Sequence, residues 1–167
     1  MRDIKELDLV LFGGTGDLVM RKLLPALYHL QKDGLLPAGA RIIAVAREAL
    51  DTAAYLETAT RNCENYLGAD FDPTEWARFC ERIDYLIVDA LEPASYASLV
   101  ARLGEAASRE RVYYLSTSPN LFAATCRNLA GAGLIHGRSR VVLEKPLGHD
   151  LASSRQINDE GGRYFGE

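Results

Sequence analysis

The feature that most constrains the fold is a glycine-rich turn that directly follows the first apolar run of the chain. Residues 9–12 read LVLF, and Gly13, Gly14 and Gly16 come immediately after them. In a strand–turn–helix unit, such a turn brings backbone N–H groups and the start of a helix close to a phosphate, because glycine has no side chain to block the approach. Glycine strings are common in turns. The place of this one after the first strand is what predicts a pyrophosphate-binding turn.

Apolar runs of strand length recur along the chain at residues 7–12, 41–46, 83–88, 112–116 and 140–143. The stretches between them are long enough for helices, and this alternation predicts parallel crossovers. Residues 42–45 read IIAV, apolar at every position, as in a strand that helices cover on both faces. We therefore predict an α/β fold of Rossmann type, with a doubly wound, mostly parallel sheet in three αβα layers and a single dinucleotide-binding domain over residues 1–167.

Helix signals fill the connections between the predicted strands. Asp51 or Thr52 can cap the second helix, and Asp72 with Pro73 can start the third. Pro25 must kink or divide the first helix. Val19 stands where this type of turn usually has a small residue, so we expect a slightly displaced first helix. The predicted helices cover residues 16–34, 52–67, 74–80, 94–107, 121–130 and 151–160.

Charge and composition make several classes of partner improbable. The formal net charge of −4 gives no broad cationic field, so neither nucleic acid nor an anionic membrane is expected as a partner. No apolar run approaches the roughly 20 residues that span a bilayer, and the N-terminus lacks the apolar stretch of a signal peptide, so we expect a cytoplasmic protein. Cys63, Cys80 and Cys126 show no C-x-x-C spacing. They are expected to be reduced thiols, and no metal site is predicted.

The end of the second strand indicates which coenzyme the turn would serve. An NAD-preferring site usually places an acidic residue near this point, where it bonds the ribose hydroxyls. The residue here is Arg47, whose guanidinium suits bidentate binding of a 2′-phosphate, and this favours NADP. The alternative is a surface arginine paired with Glu48 or Asp51.

Two longer motifs carry a resemblance to a known family. Residues 13–28 read GGTGDLVMRKLLPALY, and residues 144–150 read EKPLGHD. These strings resemble the G-x-x-G-D-L-A-x-R-K-L-x-P-A-L-Y and E-K-P-x-G-x-D signatures of the glucose-6-phosphate dehydrogenases. Because the likeness continues through Arg47, the Asp89 region and Ser116, it covers essentially the whole chain.

The resemblance implies an activity and a set of binding residues. Members of this family oxidise glucose 6-phosphate to 6-phosphogluconolactone and transfer a hydride to NADP. The lysine of the second motif, here Lys145, touches both the coenzyme and the sugar phosphate; the alternative for Lys145 is an ordinary solvated strand end. The coenzyme-binding residues that the resemblance implies are Gly13, Gly14, Thr15, Gly16, Asp17, Leu18, Arg47, Asp89, Ala90 and Lys145.

The catalytic base of the family is not among these residues. The family takes it from an R-I-D-H-Y-L-G-K-E motif downstream of the second signature, and residues 1–167 contain no such string. Residues 82–86 read RIDYL, lack the histidine and are predicted to begin the third strand, while Asp150 is expected to cap a helix and His149 is not assigned a catalytic role. We assign no catalytic residue. We expect a fragment without the family's C-terminal substrate and dimerisation domain. This fragment is expected to bind NADP without turnover and to self-associate.

Two other functions share the glycine turn. A non-catalytic dinucleotide-binding sensor would need no sugar phosphate contact, so the change Lys145→Ala would leave its coenzyme affinity unchanged. A nucleotide-sugar epimerase or short-chain reductase would use a Tyr-x-x-x-Lys pair, and no tyrosine stands four residues before Lys145.

Overall fold

The computed structural model describes residues 4–104, 108–143 and 165. Within them the strands form a parallel sheet of order β3-β2-β1-β4-β5. The predicted Rossmann-type parallel sheet is confirmed, and each predicted strand is present with its ends shifted by no more than two residues. The strands are β1 Glu6–Phe12, β2 Gly39–Ala46, β3 Ile83–Ile87, β4 Glu110–Leu115 and β5 Ser139–Leu143.

Helices cover both faces of the sheet, which confirms the three-layer arrangement. One face of β1 and β2 packs against α1, α2 and α3, with Leu11, Leu24 and Tyr55 in the shared core. The opposite face packs against α4 and α5, with Val10 and Leu99 in that core, which Phe165 also joins. The α-helices are α1 Leu24–Lys32, α2 Thr52–Leu67, α3 Pro73–Cys80, α4 Ala97–Leu103 and α5 Phe122–Gly131.

The first helix shows how the chain accommodates a proline near its start. A π-helical segment, Val19–Leu23, leads into α1, and the Leu24 N–H donates to the Val19 carbonyl five residues earlier. Pro25 follows at once, and it has neither an N–H to donate nor room for the carbonyl four residues before it. The wider π turn relieves that crowding. The predicted interruption at Pro25 is therefore present as a change of helix type. Val19 is fully buried, and the displacement expected from its size stays a prediction.

Helix ends follow the predicted caps at two positions and contradict the prediction at a third. Asp51 accepts a hydrogen bond from the Ala54 N–H, and Asp72 accepts from Thr74 and Glu75. The predicted helix over 94–107 is wrong in extent. A 3-10 turn, Pro93–Tyr96, precedes α4, and α4 ends at Leu103 because Gly104 adopts a φ of 66°. A glycine in the left-handed region is a common helix terminator.

A buried ion cluster lies at the amino end of the sheet. Asp8 is fully buried on β1, directly beside Arg41 of β2 and Arg111 of β4. Its carboxylate accepts hydrogen bonds from Arg41 Nε at 2.6 Å, Arg41 Nη2 at 2.8 Å and Arg109 Nε at 2.8 Å. Burial alone would raise the pKa of Asp8, but the hydrogen bonds and charges of Arg41 and Arg109 hold it below its usual value.

Candidate dinucleotide-binding site

A cleft of about 470 Å³ opens at the carboxyl ends of the central strands. It lies at the end of β1, which pairs with β2 on one side and with β4 on the other, so the strand order reverses at this point. In open α/β sheets, ligands bind at this reversal of strand order. The lining residues are Phe12, Gly13, Thr15, Val45, Ala46, Arg47, Glu48, Val88, Asp89, Ala90, Leu91, Thr117, Ser118, Asn120 and Leu121.

The glycine turn is held tightly between the two strands that flank β1. Gly13 has a φ of 77°, and a Cβ added there would overlap the carbonyl oxygen of Ser116 at the end of β4. A Cβ on Gly14 would lie 2.8 Å from the Ala44 Cβ of β2. Both glycines are therefore required by the approach of neighbouring backbone, and the turn leaves its outer surface open to a ligand.

The backbone groups of the turn are unequally available. The Gly14 N–H donates to the Val45 carbonyl and the Gly16 N–H to the Gly13 carbonyl, each at 2.9 Å. Tyr55 Oη donates to the Gly14 carbonyl at 2.7 Å. The Thr15 N–H has no acceptor among the described residues, so it is free to donate to a phosphate. Gly14 is buried behind the turn and does not line the cleft.

Asp17 and Leu18 begin the helix that follows the turn, and neither lines the cleft. Asp17 forms an exposed ion pair with Arg21 one helical turn on, at 2.8 Å. The helix dipole favours negative charge at a helix start. The ion pair with Arg21 partly neutralises the charge of Asp17 at this position. Direct ligand contacts of Asp17 and Leu18 stay predictions.

Arg47 lies exposed at the end of β2 and lines the cleft. It forms no ion pair with Glu48 or Asp51, both of which the structure describes, so the pairing considered as the alternative is not formed. Tyr85 Oη donates to the Glu48 carbonyl at 2.7 Å and holds the backbone next to Arg47. The guanidinium thus stands on an anchored loop, and no described residue accepts a hydrogen bond from it.

Asp89 and Ala90 form the wall of the cleft beyond β3. The Asp89 carboxylate accepts from the Leu91 N–H at 3.0 Å, so one of its oxygens shapes its own turn. The Ala90 carbonyl accepts from Tyr96 Oη at 3.0 Å and Asn128 Nδ2 at 2.8 Å. Leu91 is 56% exposed and adds an apolar surface beside them. These two hydrogen bonds hold the wall in place and use the acceptor capacity of the Ala90 carbonyl.

The opposite wall was not predicted from the sequence. It is the loop between β4 and α5, where Thr117, Ser118, Asn120 and Leu121 line the cleft. The Ser118 hydroxyl accepts from the Asn120 N–H at 3.4 Å and precedes a 3-10 turn, Pro119–Leu121. The signal that could have found this wall is the position of the loop directly after the strand beside β1. Lys145 and the rest of the second motif lie outside the described residues.

The described part of the chain offers little to metal or thiol chemistry. Cys63, Cys80 and Cys126 form no disulfide. Burial raises the pKa of Cys63 to about 12 and that of Cys80 to about 11, so both stay protonated at neutral pH. Among the described residues, no group of three or more histidine, cysteine or acidic side chains could hold a metal ion, and no helix is long and apolar enough to cross a bilayer.

Comparison with known proteins gives consistent matches over nearly the whole chain. A family model described as "Glucose-6-phosphate dehydrogenase, NAD binding domain" matches residues 10–167. The glucose-6-phosphate 1-dehydrogenase of Mycolicibacterium smegmatis is 44% identical over 165 residues, covering 96% of this chain and 33% of that protein. The Gluconobacter oxydans enzyme of the same name is 43% identical over 169 residues, covering 99% and 35%.

Solved structures agree with these matches. The crystal structure of glucose-6-phosphate 1-dehydrogenase from Mycobacterium avium superposes with a TM-score of 0.85 at 35% identity, covering 95% of this chain and 34% of that one. A glucose-6-phosphate dehydrogenase in complex with its substrate glucose-6-phosphate gives 0.84 at 25% identity, covering 99% and 36%. The chain thus spans about a third of the length of the relatives it matches.

Proposed function

The chain belongs to the family of glucose-6-phosphate dehydrogenase NAD-binding domains, and on that premise we propose that it binds NADP in the cleft between the glycine turn and Arg47. The observation that carries the proposal is the arrangement of this cleft. A tight glycine turn and an arginine that forms no ion pair with any described residue line it together at the reversal of strand order. These are the two features that a dinucleotide with a 2′-phosphate requires.

The turn suits the diphosphate of the coenzyme. Gly13 and Gly14 have no side chains, which lets the turn pack closely against the ends of β4 and β2. The Thr15 N–H has no acceptor among the described residues and can donate to the diphosphate. The helix that follows contributes the positive end of its dipole. We assign the diphosphate to Thr15 and the start of this helix, with Gly14 as a packing residue behind them.

Arg47 suits the 2′-phosphate that distinguishes NADP from NAD. A guanidinium can donate two parallel hydrogen bonds to a phosphate, and hydrogen bonds to charged groups contribute about 1.5–3 kcal/mol. Because about 1.4 kcal/mol corresponds to a tenfold change in affinity, we expect the chain to prefer NADP by about tenfold or more. The exposure of Arg47 places the expected value at the low end, since water and salt screen the charge.

The adenosine half fits the wall formed by Asp89, Ala90 and Leu91. The Ala90 carbonyl is already bonded twice, so this wall offers mainly the apolar surface of Ala90 and Leu91 and the second oxygen of Asp89. An adenine ring packed there would lie near Arg47, which also lines the cleft.

We further propose that these residues form part of an enzyme that oxidises glucose 6-phosphate to 6-phosphoglucono-1,5-lactone. The support comes from the family and from the EKPLGHD motif, in which Lys145 is the residue assigned to both coenzyme and sugar phosphate. Bound NADP supplies the hydride acceptor for such an oxidation. Because residues 1–167 contain no base motif, we expect these residues by themselves to bind NADP without turnover. Self-association of the chain stays a prediction.

Calorimetric titration with NADP and with NAD tests the coenzyme proposal directly. The wild-type chain should bind NADP more tightly, and Arg47→Ala should remove most of that preference while keeping NAD affinity. Arg127→Ala is the matched control, because Arg127 is exposed on α5 and lies outside the cleft. A chain that binds neither coenzyme, or that binds NAD equally well, would contradict the proposal.

A second measurement concerns the substrate side. A dehydrogenase assay with glucose 6-phosphate and NADP should give no turnover with these 167 residues, and turnover would show that a base is present among them. Lys145→Ala is expected to weaken NADP binding, because the resemblance assigns this lysine to the coenzyme as well as to the sugar phosphate. An unchanged affinity would favour the non-catalytic sensor instead.

A further inference from the structure

Two tyrosine rings stack beneath the cleft, between helix α2 and the sheet. Tyr55 comes from the second turn of α2, and Tyr85 comes from β3, where it lies directly beside Ala44 of β2. The ring centroids are 4.9 Å apart and the planes differ by 13°. Both side chains are buried, so the pair is a rigid element of the core on this face of the sheet.

Each hydroxyl of the pair donates to a backbone carbonyl in a different loop of the cleft. Tyr55 Oη donates to Gly14 in the glycine turn at 2.7 Å. Tyr85 Oη donates to Glu48, the residue after Arg47, also at 2.7 Å. The stack therefore joins the turn assigned to the diphosphate with the loop assigned to the 2′-phosphate.

The surroundings of the pair keep this connection fixed. Burial raises the pKa of Tyr55 well above its usual value and that of Tyr85 to about 12, so both hydroxyls stay protonated donors at neutral pH. The Tyr85 N–H donates to the Thr52 hydroxyl at 3.1 Å, which ties the first turn of α2 to β3. The Gly14 N–H is held separately by the Val45 carbonyl.

We propose that Tyr55 and Tyr85 are positioning residues that set the distance between the glycine turn and Arg47. Tyr55 acts on the part of the cleft that serves the diphosphate of both coenzymes, and Tyr85 acts on the part that serves the 2′-phosphate of NADP alone. This inference rests on the proposed coenzyme function. A ligand that spans two loops binds best when their spacing is fixed in advance, and small displacements of a supporting residue cost affinity.

The two hydroxyls are therefore expected to have different effects on binding. Tyr85→Phe keeps the stacked ring but frees the Arg47 loop, so NADP should bind about three- to tenfold more weakly while NAD affinity stays within about twofold. Tyr55→Phe frees the glycine turn, so both affinities should fall by a similar factor of about three to ten. For Tyr85→Phe, the ratio of the two dissociation constants separates the expected effect from a general loss of stability, and for Tyr55→Phe a control variant of similar stability does so.

Tyr113→Phe is the matched control, because Tyr113 is also a buried tyrosine whose hydroxyl donates to a loop carbonyl, that of Leu134. Neither residue lines the cleft. This variant should lose stability by a comparable amount and leave both coenzyme affinities unchanged. A double variant, Arg47→Ala with Tyr85→Phe, should show the same NADP-to-NAD ratio as Arg47→Ala alone, because Tyr85 is expected to act through Arg47.

Titration of the 167-residue chain and its variants with NADP and NAD decides the matter. Equal weakening of both coenzymes by Tyr85→Phe, or tyrosine variants that bind like Tyr113→Phe, would refute the positioning role while a wild-type preference for NADP still supports the proposed function. A wild-type chain that binds neither coenzyme would refute the proposed function, and the positioning role with it.

Discussion

Replacing Asp8 by asparagine is expected to destabilise the fold by about 3–5 kcal/mol, the range for removing one partner of a buried ion pair. The asparagine has almost the same shape, so packing is preserved while the negative charge is lost. Arg111, which is 2% exposed and lies 3.6 Å from the carboxylate, then keeps a buried positive charge without its counterion. Arg41 and Arg109 lose their charge-assisted hydrogen bonds at the same time.

Urea unfolding followed by circular dichroism measures this effect, and the chain contains a matched control. Asp84 and Arg102 form an ion pair of 2.5 Å, but their side chains are 36% and 34% exposed. Pairs of that exposure contribute about 0–1 kcal/mol, so Asp84→Asn should shift the unfolding midpoint much less. If Asp8→Asn costs no more than Asp84→Asn, the buried cluster does not contribute to stability as argued.

The pH dependence of stability provides a second check on Asp8. Its pKa is lowered in the folded state from the ordinary value of 3.8, so the folded state binds the proton less readily than the unfolded state does. The stabilisation is present above that value and is lost as the pH falls through the folded pKa. The stability difference between wild type and Asp8→Asn should therefore narrow below about pH 4. A difference that stays constant down to pH 2 would contradict the assignment.

Two further predictions concern the glycine turn and the thiols. Gly14→Ala places a methyl group 2.8 Å from the Ala44 Cβ, so it should destabilise the chain by about 1–3 kcal/mol and weaken coenzyme binding. Gly131→Ala is the control in the same thermal melts, and it should be tolerated because its methyl group meets nothing within 4 Å. Equal melting temperatures of the two variants would show that the turn can shift. Cys63 should resist iodoacetamide at pH 8 in the folded chain, because burial raises its pKa to about 12; mass spectrometry that finds rapid alkylation without unfolding would contradict this.

The sheet and the position of its cleft were predictable because they depend on local pattern and on the geometry of parallel strands. Apolar runs of strand length are almost unavoidable in a sheet covered on both faces, and ligand clefts form at its carboxyl edge. The placement of Arg47 and the glycine turn in the cleft was predictable in the same way, because each directly follows the carboxyl end of a strand. The loop with Thr117 and Asn120 was missed, because polar residues after β4 are also typical of an ordinary connection.

Other features depend on contacts between residues far apart in the sequence. The hydrogen bond from Tyr55 to Gly14 joins residues separated by 41 positions, and no local pattern specifies it. Asp8 lies within an apolar run, and only the register of the sheet, which places Arg41 and Arg111 on either side, explains how its charge is tolerated. The early end of α4 is different, because Gly104 is a local signal in the sequence that is typical of a helix end.

Strand β1 carries the charge cluster near one end and the glycine turn just beyond the other. Asp8 and Gly13 are five residues apart, which in an extended strand is a separation of about 16 Å. A protein engineer can therefore replace Asp8 together with its arginines by apolar residues to gain heat resistance, while the glycine turn at the opposite edge keeps its own contacts.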